Sequence, residues 1–96
     1  MQQLPTQCPS CGSHLSVKRL LCQKCQTEVE GFYQLPLFSL LPRSDQEFIL
    51  LFVRSSGSLK EMARLLKLSY PTVRNRLDEI IERLTNIEKQ QEKNDD

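Results

Sequence analysis

Cys8-Pro9-Ser10-Cys11-Gly12 and Cys22-Gln23-Lys24-Cys25 contain all four cysteines of the chain, as two CxxC pairs with ten residues between them. Two cysteines separated by two residues can aim at one ion from a single turn. Two such turns supply the four soft ligands that tetrahedral Zn²⁺ takes at about 2.3 Å. Pro9 fixes its own φ, and Gly12 can adopt the positive φ that ends such a turn. The second hook, around Gln23 and Lys24, has neither residue, so its turn is less strongly pre-set. Lys18 and Lys24 place positive charge near a centre whose formal charge with four thiolates is negative. The expected metal ligands are therefore Cys8, Cys11, Cys22 and Cys25, around a structural zinc.

The same thiols admit other readings. Two disulfides would require an oxidising compartment, whereas a start without a basic-then-apolar pattern leads us to expect a reducing one. A thioredoxin-like redox pair needs a βαβ context and normally one CxxC. Iron held as in rubredoxin has the same ligand set and stays open. His14 lies beside the first hook, but four thiolates complete a tetrahedron without it. A closed structural site leaves no position for a substrate water. Here the metal would replace a core that so short a segment cannot build alone.

Ninety-six residues allow one ordinary domain or two very small ones, and the composition changes enough along the chain to favour two. No apolar run approaches the ~20 residues of a membrane span, so a cytoplasmic protein without a membrane partner is expected. The net charge of +1 conceals an asymmetry: residues 1–43 carry +2, residues 44–76 carry +3 and residues 77–96 carry −4. Base is concentrated in the middle and acid at the end.

The pattern predicts a small α+β chain, in which a two-stranded zinc ribbon precedes an all-α three-helix helix-turn-helix domain with a long C-terminal helix. The ribbon spans 7–34, with strands at Leu15-Ser16-Val17-Lys18-Arg19-Leu20-Leu21 and Thr27-Glu28-Val29-Glu30-Gly31-Phe32-Tyr33. Residues 35–43 form a connector stiffened by Pro36 and Pro42, whose apolar side chains should pack on the helices or on a partner. Residues 44–89 hold the helices, and 90–96 a disordered tail. Ser44 with Glu47, and Ser58 with Glu61, read as capping boxes. Ser55-Ser56-Gly57 separates the first two helices. Leu59, Met62, Ala63 and Leu66 form the buried stripe of the second. Ser69 caps the third, and Pro71 lies in its first turn.

Residues 59–78 have the dimensions of a helix-turn-helix, with Val73 and Leu77 turned into the core. The opposite face of helix 70–78 would read the major groove of double-stranded DNA. Thr72 and Asn75 lie farthest from the core stripe and are assigned to bases; Arg74 and Arg76 flank them. Tyr70 belongs to the same free face; Ser69 and the first amides suit a phosphate, and Lys60, Arg64 and Lys67 suit the backbone. Asp78, Glu79 and Glu82 would repel phosphate beyond that point. The competing view is a three-helix bundle with a solvated basic face. The turn position is Lys67, where a left-handed residue with a Cβ costs roughly 1–2 kcal/mol unless the chain takes another path.

Val73, Leu77, Ile80, Leu84 and Ile87 follow a 4-3-4-3 rhythm, widened by Ile81. Ile80, Ile81, Leu84 and Ile87 are expected to pair two chains as a homodimer, the alternative being to fold onto the connector. Catalysis is not expected: His14 is the only histidine, and no phosphate loop or open metal site is present.

The segments CPSCG, CQKC, EGFYQLPLFSLLP, FVRSSGSLKEMARLL and SYPTVRNRLDEII, in this order, resemble a small bacterial and archaeal family of unknown function that joins a zinc ribbon to a helix-turn-helix. The resemblance covers about residues 7–82. It implies a DNA-binding transcriptional regulator. Where the family pattern has Gly, this chain has Lys67. The alternative is a protein-interaction module, docking on the transcription or translation machinery through the ribbon and connector.

Overall fold

A computed structural model describes residues 3–94. Two strands, β1 (Ser16–Leu21) and β2 (Glu28–Gln34), precede a 3-10 turn at Leu37–Leu40 and three helices: α1 (Arg43–Arg54), α2 (Leu59–Leu66) and α3 (Tyr70–Asn94). The chain divides into two compact units at Leu40/Leu41. The expected α+β architecture, a two-stranded ribbon followed by three helices of which the last is long, is present.

In the first unit β1 and β2 run antiparallel, with Leu20 opposite Val29 and Arg19 opposite Glu30. The register shifts between Val17 and Arg19, an extra-residue irregularity that twists a two-stranded ribbon. Arg19 Nε donates to Glu30 Oε1 at 2.8 Å and lies 3.6 Å from Glu28, crossing the strands. These pairs are half exposed and contribute little on their own. A Cβ at Gly31 would lie 2.8 Å from the Tyr33 ring, so a larger residue there would have to displace that partly exposed side chain. The connector is a single tight turn in its middle, where Ser39 donates to Pro36 O from both its amide and its hydroxyl.

The second unit is built on a core of Leu41, Phe48, Leu59, Met62, Val73 and Ile80. Each such side chain contributes about 2 kcal/mol through the apolar surface it removes from water. Ile49, Leu51, Phe52, Ala63, Leu77, Leu84 and Ile87 pack against it. The connector's last apolar residue, Leu41, thus belongs to the helical core. Leu66, expected in the buried stripe of α2, is exposed instead.

The helix starts differ from expectation in an informative way. Pro42, not Ser44, is the N-cap of α1, and its carbonyl accepts from Asp45 and Gln46. Ser44 falls inside the first turn, and Glu47 pairs with Arg43 at 3.3 Å rather than closing a capping box. Ser58 does cap α2, accepting from the Glu61 amide at 3.1 Å. The Glu61 carboxylate, however, turns to Arg64, whose Nε donates at 3.1 Å. α3 continues through Asn94, so residues 90–94 of the expected disordered tail are helical; Asp95 and Asp96 lie outside the described residues.

Candidate functional site

The two hooks follow the same backbone path. In the first, the Gly12 amide donates to Cys8 O at 2.9 Å, and the Cys8 amide donates to Ser13 O at 2.8 Å. In the second, Gln26 donates to Cys22 O and Cys22 to Thr27 O, both at 2.8 Å. The residue after each second cysteine is left-handed: Gly12 has φ 77° and Gln26 has φ 66°. Gln26 adopts without glycine what Gly12 adopts freely, and its side chain ties the turn by donating to Gln23 O at 3.0 Å.

A hydroxyl follows at the equivalent position in each hook. Thr27 Oγ1 lies 3.0 Å from Cys25 Sγ, and this contact lowers the Cys25 thiol pKa. Ser13 does the same for Cys11. The Ser10 amide donates to Cys8 Sγ at 3.4 Å. Thiolate, the metal-binding form, is favoured by these donors. The thiols therefore come together as two pairs, Cys8 with Cys11 and Cys22 with Cys25. Among the described residues no three Cys, His, Asp or Glu side chains are gathered as one metal-holding group. The donor chemistry of each hook fits half of a tetrahedral zinc site. His14 is half-buried and bridges to Gln7 through the backbone.

The helix-turn-helix is closed by Lys67. It sits in the left-handed region at φ 58°, ψ 41°, and its amide donates to Ala63 O and Arg64 O. The Leu68 amide reaches Ala63 O at 3.0 Å, which completes a Schellman-type end. The turn thus keeps the left-handed path and accepts the Cβ cost. Ser69 then caps α3. Its Oγ accepts from the Thr72 amide at 3.3 Å and lies 2.7 Å from Thr72 Oγ1.

Val73, Leu77 and Ile80 face inward, which leaves Ser69, Tyr70, Thr72, Arg74 and Asn75 exposed on the outer face of α3. Arg74 Nε lies 3.6 Å from Asp78 Oδ1, a loose pair at the surface. Lys60, Arg64 and Lys67 are exposed on α2 and the turn. The Arg64 guanidinium holds the Glu61 carboxyl below the usual range, and Glu61 in turn raises Arg64.

Arg76 does not belong with that set. Its Nη2 donates to Asp45 Oδ1 at 3.2 Å, and its guanidinium lies 5.9 Å from the Phe48 ring centroid. The assignment of Arg76 to the nucleic-acid face is corrected for a simple reason of helical angle. Positions 73, 76, 77, 80, 83 and 84 form one stripe, so Arg76 points where Val73 and Ile80 point. The same geometry corrects the dimer seam. Ile80 is 1% exposed inside its own chain's core, and Leu84 and Ile87 pack against that core. Only Ile81 of the expected four stands clear, at 50% exposure.

The centre that sequence reasoning missed is Asp45. It is 1% exposed and is held by Arg76 and by Arg83 Nη1, 2.7 Å from Oδ2. The signal was legible. Asp45 shares a stripe with Phe48, Ile49 and Phe52, and a carboxylate on a buried stripe requires cations on the facing helix. Among the described residues no helix is long and apolar enough to cross a membrane.

A family model described as the helix-turn-helix of a domain of unknown function, DUF2089, matches residues 41–87, and one described as the DUF2089 zinc ribbon matches residues 8–39. No curated protein and no solved structure matches the chain. With a ribbon of two equivalent CxxC hooks followed by a helix-turn-helix, each in its matched segment, the chain belongs to the DUF2089 family.

Proposed function

We propose that the protein is a DNA-binding transcriptional regulator whose α3 enters the major groove with its first two turns. One observation carries this reading: Ser69, Tyr70, Thr72, Arg74 and Asn75 lie together on the exposed face of α3, directly after a tight turn. Asn75 and Arg74 are the residue types that read adenine and guanine edges. Lys60, Arg64 and Lys67 take the phosphates, with Ser69 and the first amides of α3. Cys8, Cys11, Cys22 and Cys25 hold a structural zinc, which fixes the ribbon and supplies no chemistry. The reading is of a binding protein and not an enzyme. Pairing of two chains enters it only through the outer edge of α3, at Ile81.

The test is selection of bound duplexes from a random pool by the full chain, followed by titration in rising salt. Enrichment of a defined sequence, with affinity falling as salt rises, is expected. No enrichment, and no loss of affinity in Arg74→Ala/Asn75→Ala, rejects the proposal.

A second reading has its own observation. Phe32 is 94% exposed on the ribbon, with Leu20 and Val29 paired and half exposed nearby. Apolar exposure of this kind suits a protein partner docking on the ribbon. Co-purification of a partner that survives nuclease and is lost in Phe32→Asp would favour it.

A further inference from the structure

A cleft of about 360 Å³ opens within the helical unit, between α1, the α2–α3 turn and α3. Its walls are apolar: Phe48 and Leu51 from α1, and Leu66 and Leu68 from either side of Lys67. Arg76 closes one end, and Ser44 and Glu47 stand on the rim. A space of this size falls at the lower end of small-molecule sites, which combine apolar walls with one or two placed polar groups.

The polar end is formed by the Arg76 guanidinium. Asp45 divides one negative charge between two guanidiniums, and the closer contact is to Arg83, at 2.7 Å against 3.2 Å for Arg76. Arg83 also meets Glu79, at 3.8 Å. Arg76 meets no second carboxylate among the described residues. Its Nε is buried and finds no acceptor there. The Arg76 side chain as a whole is still about two-fifths exposed and lines the cleft, so its positive charge can meet an anion entering there. Glu47, the acid on the rim, is exposed and already paired with Arg43.

We propose that this cleft binds a small amphipathic carboxylate, with its apolar body against Phe48, Leu51, Leu66 and Leu68 and its carboxylate toward Arg76. The class is that of a medium-chain fatty acid or an arylalkanoic acid. The site does not depend on the nucleic-acid reading, because none of the residues on the outer face of α3 lines it.

The test uses the full ¹⁵N-labelled chain titrated with sodium octanoate, sodium 3-phenylpropanoate and octanamide. At least one acid should give saturable shifts confined to the amides of Ser44, Phe48, Leu51, Leu66 and Leu68. Octanamide, which has no charge for Arg76, should bind at least about tenfold more weakly than octanoate. Ser44→Trp, a rim change that fills the opening, should abolish the shifts while the helical circular dichroism stays unchanged. Arg76→Gln should weaken the acid and leave octanamide unaffected. Octanamide binding as well as octanoate, shifts scattered without saturation for both acids, or undiminished binding in a folded Ser44→Trp variant would each overturn the proposal.

Discussion

Arg76 Nη2 donates to Asp45 Oδ1 at 3.2 Å, joining the second turn of α3 to the first turn of α1 across 31 residues of sequence. With Arg83 on the other carboxylate oxygen, Asp45 becomes a buried anion shared by two cations whose outer ends reach water. The arrangement is asymmetric, and the asymmetry is measurable. Asp45→Asn leaves two guanidiniums that are about two-fifths exposed and can rehydrate. The double change Arg76→Ala/Arg83→Ala leaves an uncompensated carboxylate in the core. The first should cost about 1–2 kcal/mol and the second about 3–5 kcal/mol. Urea unfolding of the two variants checks the order; a less stable Asp45→Asn would show that the carboxylate is not the group held out of water.

Lys67 carries a second, separable strain. Its φ of 58° places a Cβ where glycine would have none. Lys67→Gly relieves roughly 1–2 kcal/mol, and glycine's greater freedom in the unfolded chain returns about 0.5–1 kcal/mol. A net gain of about 0.5–1 kcal/mol is expected, and Lys67→Val should lose stability because a β-branched residue tolerates this region least. Thermal unfolding decides it. If Lys67→Gly is destabilising, the side chain makes a contribution that outweighs its backbone.

Much of this is legible in the sequence. The CxxC spacing specified the ribbon, and the Ser58 and Ser69 caps with Ser55-Ser56-Gly57 marked where α2 and α3 begin. What the pattern could not settle was which of two uses an apolar stripe serves. Ile80, Leu84 and Ile87 have coiled-coil spacing, yet a long helix crossing a small bundle has the same period. Arg76 reads as surface because it is a basic residue on a basic segment, and only the buried Asp45 opposite it marks the inward direction. Ser44 was outcompeted as a cap by Pro42, whose carbonyl already accepts the first helical bonds.

The inward and outward edges of α3 separate cleanly at two adjacent isoleucines. Ile80 is 1% exposed and Ile81 50% exposed. Ile80→Ala should cost about 2–5 kcal/mol by leaving a cavity in the core it shares with Met62 and Val73. Ile81→Ala should stay within about 0.5 kcal/mol. Denaturant titration measures both, and sedimentation of Ile81→Asp reports whether that edge joins two chains. Equal costs for the two alanine variants would contradict the placement of the stripe.

Thr27 and Ser13 act on the thiols in one direction. The Thr27 hydroxyl lowers the Cys25 pKa, so more thiolate is present at neutral pH than for an ordinary cysteine. Thr27→Val should raise that pKa and slow alkylation of Cys25 in the metal-free protein at neutral pH. Alkylation rates against pH, resolved by peptide mass, give the midpoint. An unchanged midpoint would remove the hydroxyl as the cause.

The two units make metal removal informative. Among the described residues, the core of the helical unit is built from Leu41, Phe48, Leu59, Met62, Val73 and Ile80. The ribbon, by contrast, exposes Leu20, Leu21, Val29 and Phe32, and so has little apolar interior to replace a lost ion. If zinc joins the Cys8–Cys11 and Cys22–Cys25 pairs, its binding free energy is the folding free energy of that ribbon. Chelation of the purified full chain should therefore collapse the dispersed amide signals of Ser16–Leu21 and Glu28–Gln34. The helical circular dichroism of Arg43–Arg54 through α3 should survive, and Cys22→Ser should reproduce the effect without chelator. Loss of both signals together would mean that the helices depend on the ribbon. Retention of both would mean that the hooks, held by their paired backbone bonds and left-handed Gly12 and Gln26, are stable without an ion.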